Sequence, residues 1–277
     1  MSTNDNFEQQ SSFYDHGYGE QHMGDMGFPD LKIVDGNTSV SGKKILNIGG
    51  GNSADLWFLA GKNSVHVLDG SEVAVEQAAK RGLHAQVSDV SKRLPLEDGY
   101  FDIVVLKDIL EHVYESMHLL KEAKRVTKKE GVIIISLPNH FYLPFRFRVL
   151  FGGNVIWKSL MHNHKLYFEE WNYMHIRFFT WTGVKKMLQT ADLKIEKAYW
   201  DFGTLAHYSD PLMYENAFRM NNKKILSKRQ WILYKLMLPG YKVFNIVFPK
   251  WIRAKIVSLA PGLLCAGFYL KVKKETE

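Results

Sequence analysis

The feature that most constrains this chain is a short apolar run that ends in three glycines. Lys44-Ile-Leu-Asn-Ile48 leads directly into Gly49-Gly50-Gly51-Asn52-Ser53. A strand that feeds a glycine turn lets the backbone approach a ligand closely, and a following helix N-terminus favours negative groups there. About twenty residues on, Asp69 closes a second apolar run, where a carboxylate can accept both hydroxyls of an adenosine ribose. A second acid, Asp89, follows a third short run and is placed to meet an adenine amino group. Together these read as a nucleotide-cofactor site rather than an isolated tight turn.

The text around the turn alternates. Lys44–Ile48, Val65–Leu68, Ala85–Val87, Phe101–Leu106 and Gly131–Leu137 read as strands. Ser53–Ala60, Glu72–Arg81 (stopped by Gly82), Ile109–Thr127 and Trp181–Thr190 (opened by Thr180) read as helices. Strands alternating with helices predict an α/β fold, a mostly parallel sheet with helices on both faces. The chain has 277 residues, 46% of them hydrophobic and 23% charged, which suits a globular core with additions. A single cysteine, Cys265, excludes an intrachain disulfide framework and a cysteine-rich zinc site. With no apolar stretch in the first thirty residues, a cytoplasmic protein is expected.

Two cofactors fit the glycines. Gly49-x-Gly51-x-x-Ala54 satisfies the dinucleotide pattern, and the same residues satisfy a loop for S-adenosylmethionine. The next eighty residues separate them. Val87-Ser-Asp89, Leu94-Pro-Leu96-Glu-Asp, Tyr100-Phe-Asp-Ile-Val-Val-Leu106, Leu110-Glu-His-Val113 and Gly131-Val-Ile-Ile-Ile-Ser-Leu-Pro138 resemble, in order and spacing, the class I S-adenosylmethionine-dependent methyltransferases. The resemblance covers roughly residues 40–200. It implies a Rossmann-like seven-stranded sheet whose last strand is antiparallel, with Leu193–Trp200 and Leu263–Val272 as the closing hairpin. It also implies cofactor contacts from Asn47, Gly49, Gly51, Asp69, Gly70, Asp89, Val90 and Leu106. Where the family usually has an acid two residues before the first glycine, this chain has Asn47.

After the fourth strand comes Lys107-Asp108-Ile-Leu-Glu111-His112. If this turn is helical, Asp108, Glu111 and His112 share one face. Two carboxylates and an imidazole can bind a hard divalent cation, or His112 can serve as general base with a carboxylate orienting it. The run is similar to that of the ubiquinone-pathway O-methyltransferases, where it is associated with a metal. Asp108 replaces the usual Glu with a shorter reach, so His112 as base is preferred to a metal held by Asp108, Glu111 and His112.

Leu137-Pro-Asn139-His140, Arg146-x-Arg148 and His175-Ile-Arg-Phe-Phe-Thr180 resemble the methyltransferase subgroup that includes the bacterial methionine-biosynthesis W protein, in which this stretch caps the active site. The expected organisation is an N-terminal arm or lid (1–40), a core (41–200 and 263–273) with an acceptor cap at 140–179, and a basic aromatic insert at 201–262. Acceptor contacts are expected from Tyr14, Tyr18, His140, Arg146, His175 and Arg177, a set suited to an anionic or sugar-like molecule. His162-x-His164 is read as hydrogen-bonded surface rather than a zinc site.

Charge is unevenly spread. The net charge is +7, yet residues 216–274 hold thirteen Lys or Arg and no acid, so that 216–277 carries +11 and the rest −4. Trp231, Tyr234, Tyr241, Phe244, Phe248 and Trp251 interleave with Lys235, Lys242, Lys250 and Arg253. That composition suits peripheral contact with an anionic membrane, at its inner face, and equally a helix packed on the body. No nucleic-acid motif is present. The C-terminal run resembles methyltransferases associated with bacterial surface glycans. The sequence thus predicts O-methylation of a sugar, a glycan-linked molecule or another hydroxylated acceptor, with a membrane-surface lipid or quinone methyltransferase and a non-catalytic partner protein as alternatives.

Overall fold

A computed structural model describes Ser11, residues 40–53, 56–152, 175–201, 243, 246, 247 and 249–275. Seven strands form one sheet: β1 (Lys44–Ile48), β2 (Ser64–Asp69), β3 (His84–Val87), β4 (Phe101–Lys107), β5 (Thr127–Pro138), β6 (Leu193–Asp201) and β7 (Gly267–Lys274). Their spatial order is β3-β2-β1-β4-β5-β7-β6. β1 to β5 pair in parallel, while β7 runs antiparallel to both β5 and β6. The order reverses at β1, which has β2 on one side and β4 on the other. Such a reversal opens a crevice beyond the carboxyl ends of the strands, where ligands bind in open α/β sheets.

The sheet is buried on both sides because its strands are apolar at successive positions. Leu46, Ile48, Leu68, Val104, Leu106, Ile133 and Ile135 face one core, shared with Leu119, Leu120, Ala123 and Val126 of α2 (Ser116–Val126) and Val184 and Leu188 of α4 (Trp181–Thr190). Ile45, Val65, Val67, Ile103 and Val105 face the other, with Leu56 and Leu59 from the segment between β1 and β2 and with Ala78 of α1 (Glu72–Lys80). Neighbouring residues alternate between faces, as the two-residue period of a strand requires. Helix starts follow local chemistry. Ser71 caps α1 by accepting from the Ala74 N–H, and Thr180 caps α4 by accepting from the Gly183 N–H.

Three expected elements differ. The helix read over Ile109–Thr127 begins only at Ser116. Before it, Asp108 takes a left-handed φ of 49° and the Ser116 hydroxyl donates to the Leu110 carbonyl at 2.8 Å. Tertiary bonds replace the helical ladder: the Glu111 carbonyl accepts from the Ile176 and Arg177 N–H groups at 2.9 and 3.1 Å. The helix read over Ser53–Ala60 is, in its described part, a 3-10 turn at Trp57–Leu59. The final strand begins at Gly267, because Leu263 and Leu264 belong to α6 (Pro261–Leu264), which follows α5 (Lys250–Leu259). Most of the arm and much of the basic insert, including Tyr14, Tyr18, His162 and His164, lie outside the described residues.

Asn139 ties the edge of the sheet together. It is buried, and its side-chain N–H groups donate to the carbonyls of Cys265 at 2.7 Å and Gly262 at 3.1 Å. Its Oδ1 accepts from the Phe141 N–H at 3.0 Å, and its own N–H donates to the Ala266 carbonyl at 2.7 Å. One amide therefore joins the end of β5, the start of β7 and the segment leading to α3 (Leu143–Leu150). Asn139→Ala leaves two carbonyls and one N–H without these partners, and a stability loss of about 2–4 kcal/mol is expected by chemical denaturation.

Candidate functional site

The turn after β1 is glycine-rich for steric reasons. Gly49 sits at φ +65°, and a Cβ there would stand 2.5 Å from the Ile109 side chain. A Cβ on Gly50 would stand 2.4 Å from Asn47 Nδ2. Real side chains do not approach that closely, so these positions admit only glycine without a shift of the loop. The Gly49 N–H donates to the Leu68 carbonyl at 2.7 Å, pinning the turn to β2.

Asp69 at the end of β2 holds the loop from the other side. Its Oδ2 accepts from the Gly51 N–H at 2.7 Å and its Oδ1 from the Ser71 N–H at 2.9 Å. Asn47 is buried, its Nδ2 donates to Ser53 Oγ at 3.0 Å, and its Oδ1 has no hydrogen-bond partner. A buried amide oxygen without a donor is costly, and an ammonium or amide donor on a ligand would satisfy it. Asp89 forms a turn with Ser91, its Oδ1 accepting from the Ser91 N–H and hydroxyl at 3.0 and 2.6 Å, and its Oδ2 lies 3.2 Å from Lys92 Nζ. Val90 is partly buried against the core and Leu106 is fully buried at the end of β4, in register with Ile48. The Gly70 carbonyl accepts from the Ser11 hydroxyl at 2.6 Å, so one arm residue touches the mouth of the crevice. A glycine cradle, a carboxylate and an orphaned amide oxygen fit an amino-acid-bearing nucleoside such as S-adenosylmethionine.

Next to this cradle lies a cluster of imidazoles and one carboxylate. Ligand atoms of Glu111, His112 and His175 all fall within 4.8 Å of one another. His112 Nε2 is 3.9 Å from Glu111 Oε1, too long for a direct hydrogen bond. The rings of His112 and His175 meet edge to face at 4.6 Å, and His175 Nδ1 is 2.8 Å from His140 Nε2. Asp108 departs from the grouping expected for a helical turn: its carboxylate accepts from the Ser136 hydroxyl at 2.7 Å instead. His175, from the described segment before α4, takes the place expected of Asp108. Arg177 is exposed and donates to the Tyr114 carbonyl, and Arg146 is exposed and donates to the Phe141 carbonyl. Neither arginine is among the three clustered residues. Ser136, Ile109 and Phe178 were not anticipated. Ile109 covers Gly49, and Phe178 stacks edge-on against His140 at 4.8 Å.

The cluster is electrostatically quiet. Burial, followed by the charge of Asp108, pushes the Glu111 carboxyl well above the ordinary glutamate range. Neither Glu111 oxygen has a hydrogen-bond partner. Burial holds His140 down to about 4, and burial with His112 and His140 alongside holds His175 down to about 2. Neutral imidazoles can accept protons or ligate a metal. One carboxylate and two imidazoles form a donor set for zinc or a related first-row metal more than for magnesium.

Residues 46–135 match the family model of a methyltransferase domain. Over 92 residues the chain is 30% identical to a probable S-adenosylmethionine-dependent methyltransferase of Mycobacterium tuberculosis, covering 33% of each chain. It is 25% identical over 118 residues to a ubiquinone biosynthesis O-methyltransferase of Neisseria meningitidis, covering 39% of this chain and 50% of that one. The chain thus spans between a third and a half of the length of these curated relatives. Among solved structures, phosphoethanolamine N-methyltransferase 2 of Haemonchus contortus superposes with a TM-score of 0.57 at 15% identity, over 97% of this chain and 59% of that one. At that identity the likeness shows the fold.

The position of Glu111 has a measurable consequence. A carboxyl raised in the folded state favours folding most below its ordinary value of 4.5, and that contribution is lost as pH rises through the folded value. Glu111→Gln removes the titration. Subtracting its denaturation free energies from those of the parent across pH 4 to 8 is expected to give a curve that falls with rising pH.

Proposed function

The chain carries a class I S-adenosylmethionine-dependent methyltransferase domain, and on that premise we propose that it transfers a methyl group to a hydroxyl of a sugar, a glycan-linked molecule or another hydroxylated acceptor. The observation that carries this reading is the contact between loop and cluster. Ile109, from the same turn as Glu111 and His112, packs directly on Gly49. The groups able to handle a proton therefore lie beside the cradle that would hold the methyl donor.

S-adenosylmethionine, when bound, would supply an electrophilic sulfonium methyl group, with S-adenosylhomocysteine as the thioether leaving group of an in-line attack by the acceptor oxygen. The chain's own residues orient and deprotonate. Asp69 would accept the ribose hydroxyls, and the unpartnered Oδ1 of Asn47 would accept from the methionine ammonium group. His112 would take the acceptor's proton, with the buried Glu111 and His175 packed beside it. Placement of the reacting groups supplies most of the rate, and proton removal by a positioned base adds about 10²–10⁴-fold. Similarity to a ubiquinone biosynthesis O-methyltransferase supports oxygen as the accepting atom. A second reading has its own observation: Glu111, His112 and His175 would hold a divalent cation that acidifies the same hydroxyl.

Production of S-adenosylhomocysteine with a panel of hydroxylated acceptors tests the proposal. His112→Ala is expected to lower kcat by about 10²–10⁴-fold while leaving the affinity for S-adenosylmethionine unchanged. Unchanged turnover in that variant rules out the base. Asp69→Ala is expected to weaken S-adenosylmethionine binding by roughly 100-fold in calorimetry, since both the loop and the ribose lose their acceptor. Activity that persists in chelator keeps the metal-free form of the mechanism, and activity that returns only with zinc replaces it.

A further inference from the structure

Tracts without any acid come together on one side of the molecule. No Asp or Glu occurs between Gly131 and Phe168, between Trp171 and Ala191, or from residue 216 to 274. Helices α3, α4 and α5 are drawn from these three tracts. They border one open pocket of about 500 Å³, lined by Arg146 of α3, Trp181 and Lys185 of α4, and Ser258 and Leu259 of α5. Lys185 and Lys255 are exposed, as is Arg146.

The outer side chains here are large and apolar. On α3, Leu143, Phe147 and Leu150 recur at helical spacing and Phe151 follows, with Leu150 at 74% and Phe151 at 82% exposure. On α5, Ile256 and Leu259 are exposed, Leu259 at 84%, and Ile246 just before it reaches 79%. Scattered apolar residues on a surface are ordinary, but a set of this size on helices whose only charged side chains, among the described residues, are cations is not. Phe141 and Phe178 are also exposed, and Phe178 packs on His140 at 4.8 Å, which links this surface to the histidine cluster.

We propose that this face docks on an anionic lipid surface, with α3 and α5 seating their apolar residues at the acyl boundary and Arg146, Lys185 and Lys255 against lipid phosphates. Charge complementarity selects this occupant. A second copy of the chain would set cations against cations. A nucleic acid would pair the cations and leave the leucines and phenylalanines in water. A lipid surface satisfies both halves of the pattern, as amphipathic basic helices do. Docked this way, the histidine cluster lies beside the membrane, where a lipid-linked acceptor would be found. The docking itself does not depend on the reaction, so either can fail without the other.

The test is co-sedimentation of the full chain with vesicles of phosphatidylcholine alone and of phosphatidylcholine mixed with phosphatidylglycerol. Binding to the anionic vesicles and not to the neutral ones is expected, weakening as salt is raised. Leu150→Glu with Phe151→Glu, and separately Leu259→Glu on the other helix, are each expected to lower partitioning by roughly tenfold or more. Lys185→Glu with Lys255→Glu is expected to do the same on anionic vesicles. Thermal unfolding and S-adenosylmethionine affinity of these variants should match the parent, which separates lost docking from lost folding. Equal binding to both vesicles, binding to neither, or binding untouched by the substitutions overturns the proposal. So does a self-association in sedimentation velocity that Leu150→Glu with Phe151→Glu abolishes, or an affinity for single-stranded RNA exceeding that for the vesicles.

Discussion

The arrangement depends on one close approach of backbone to its neighbours at the end of β1. Gly49 and Gly50 are held between Ile109 and Asn47 with no room for a Cβ, and Asp69 grips the Gly51 N–H from β2. A side chain at Gly49 or Gly50 would force Ile109 or Asn47 to shift, and Gly49 and Gly51 both hold the left-handed φ that glycine adopts without strain. The same contact sets where the chemistry lies. Ile109 cannot pack on Gly49 unless the turn after β4 comes down beside the cradle, and Glu111 and His112 come with it.

That turn is built against its own local preference. The apolar spacing after Asp108 suits a helix, yet the structure delays the helix to Ser116. The Glu111 carbonyl is taken by the backbone at Ile176 and Arg177, and the Ser116 hydroxyl closes on Leu110. The result is a buried carboxyl, held above its ordinary range by burial, against imidazoles that burial holds below theirs. A part-buried imidazole beside the cradle suits removal of one proton from an acceptor. Arg146 and Arg177, which the sequence grouped with the acceptor, are instead exposed and bonded to nearby carbonyls.

Asn139 performs a comparable service at the other end of the sheet. By bonding Gly262, Cys265 and Phe141 it fastens the last strand and the cap to β5. Among the described residues no helix is long and apolar enough to cross a membrane. Leu150 and Phe151 at α3 and Leu259 of α5 nevertheless stay exposed.

From sequence alone, the α/β class, the five parallel strands, the glycine turn with Asp69, and the cap at Thr180 could be read in advance, while the closing hairpin that makes seven strands was implied by the family resemblance. The directly read features depend on local capping, on the alternation of strands and helices, and on the steric freedom of glycine, all of which sequence spacing encodes. Only the tertiary structure decided that His175 rather than Asp108 joins Glu111 and His112. That choice rests on the hydrogen bonds from Ile176 and Arg177 to Glu111, more than sixty positions apart in the chain, and on Ser136 drawing Asp108 away. The energy of such long-range pairings outweighs local helix propensity, and no local pattern records it.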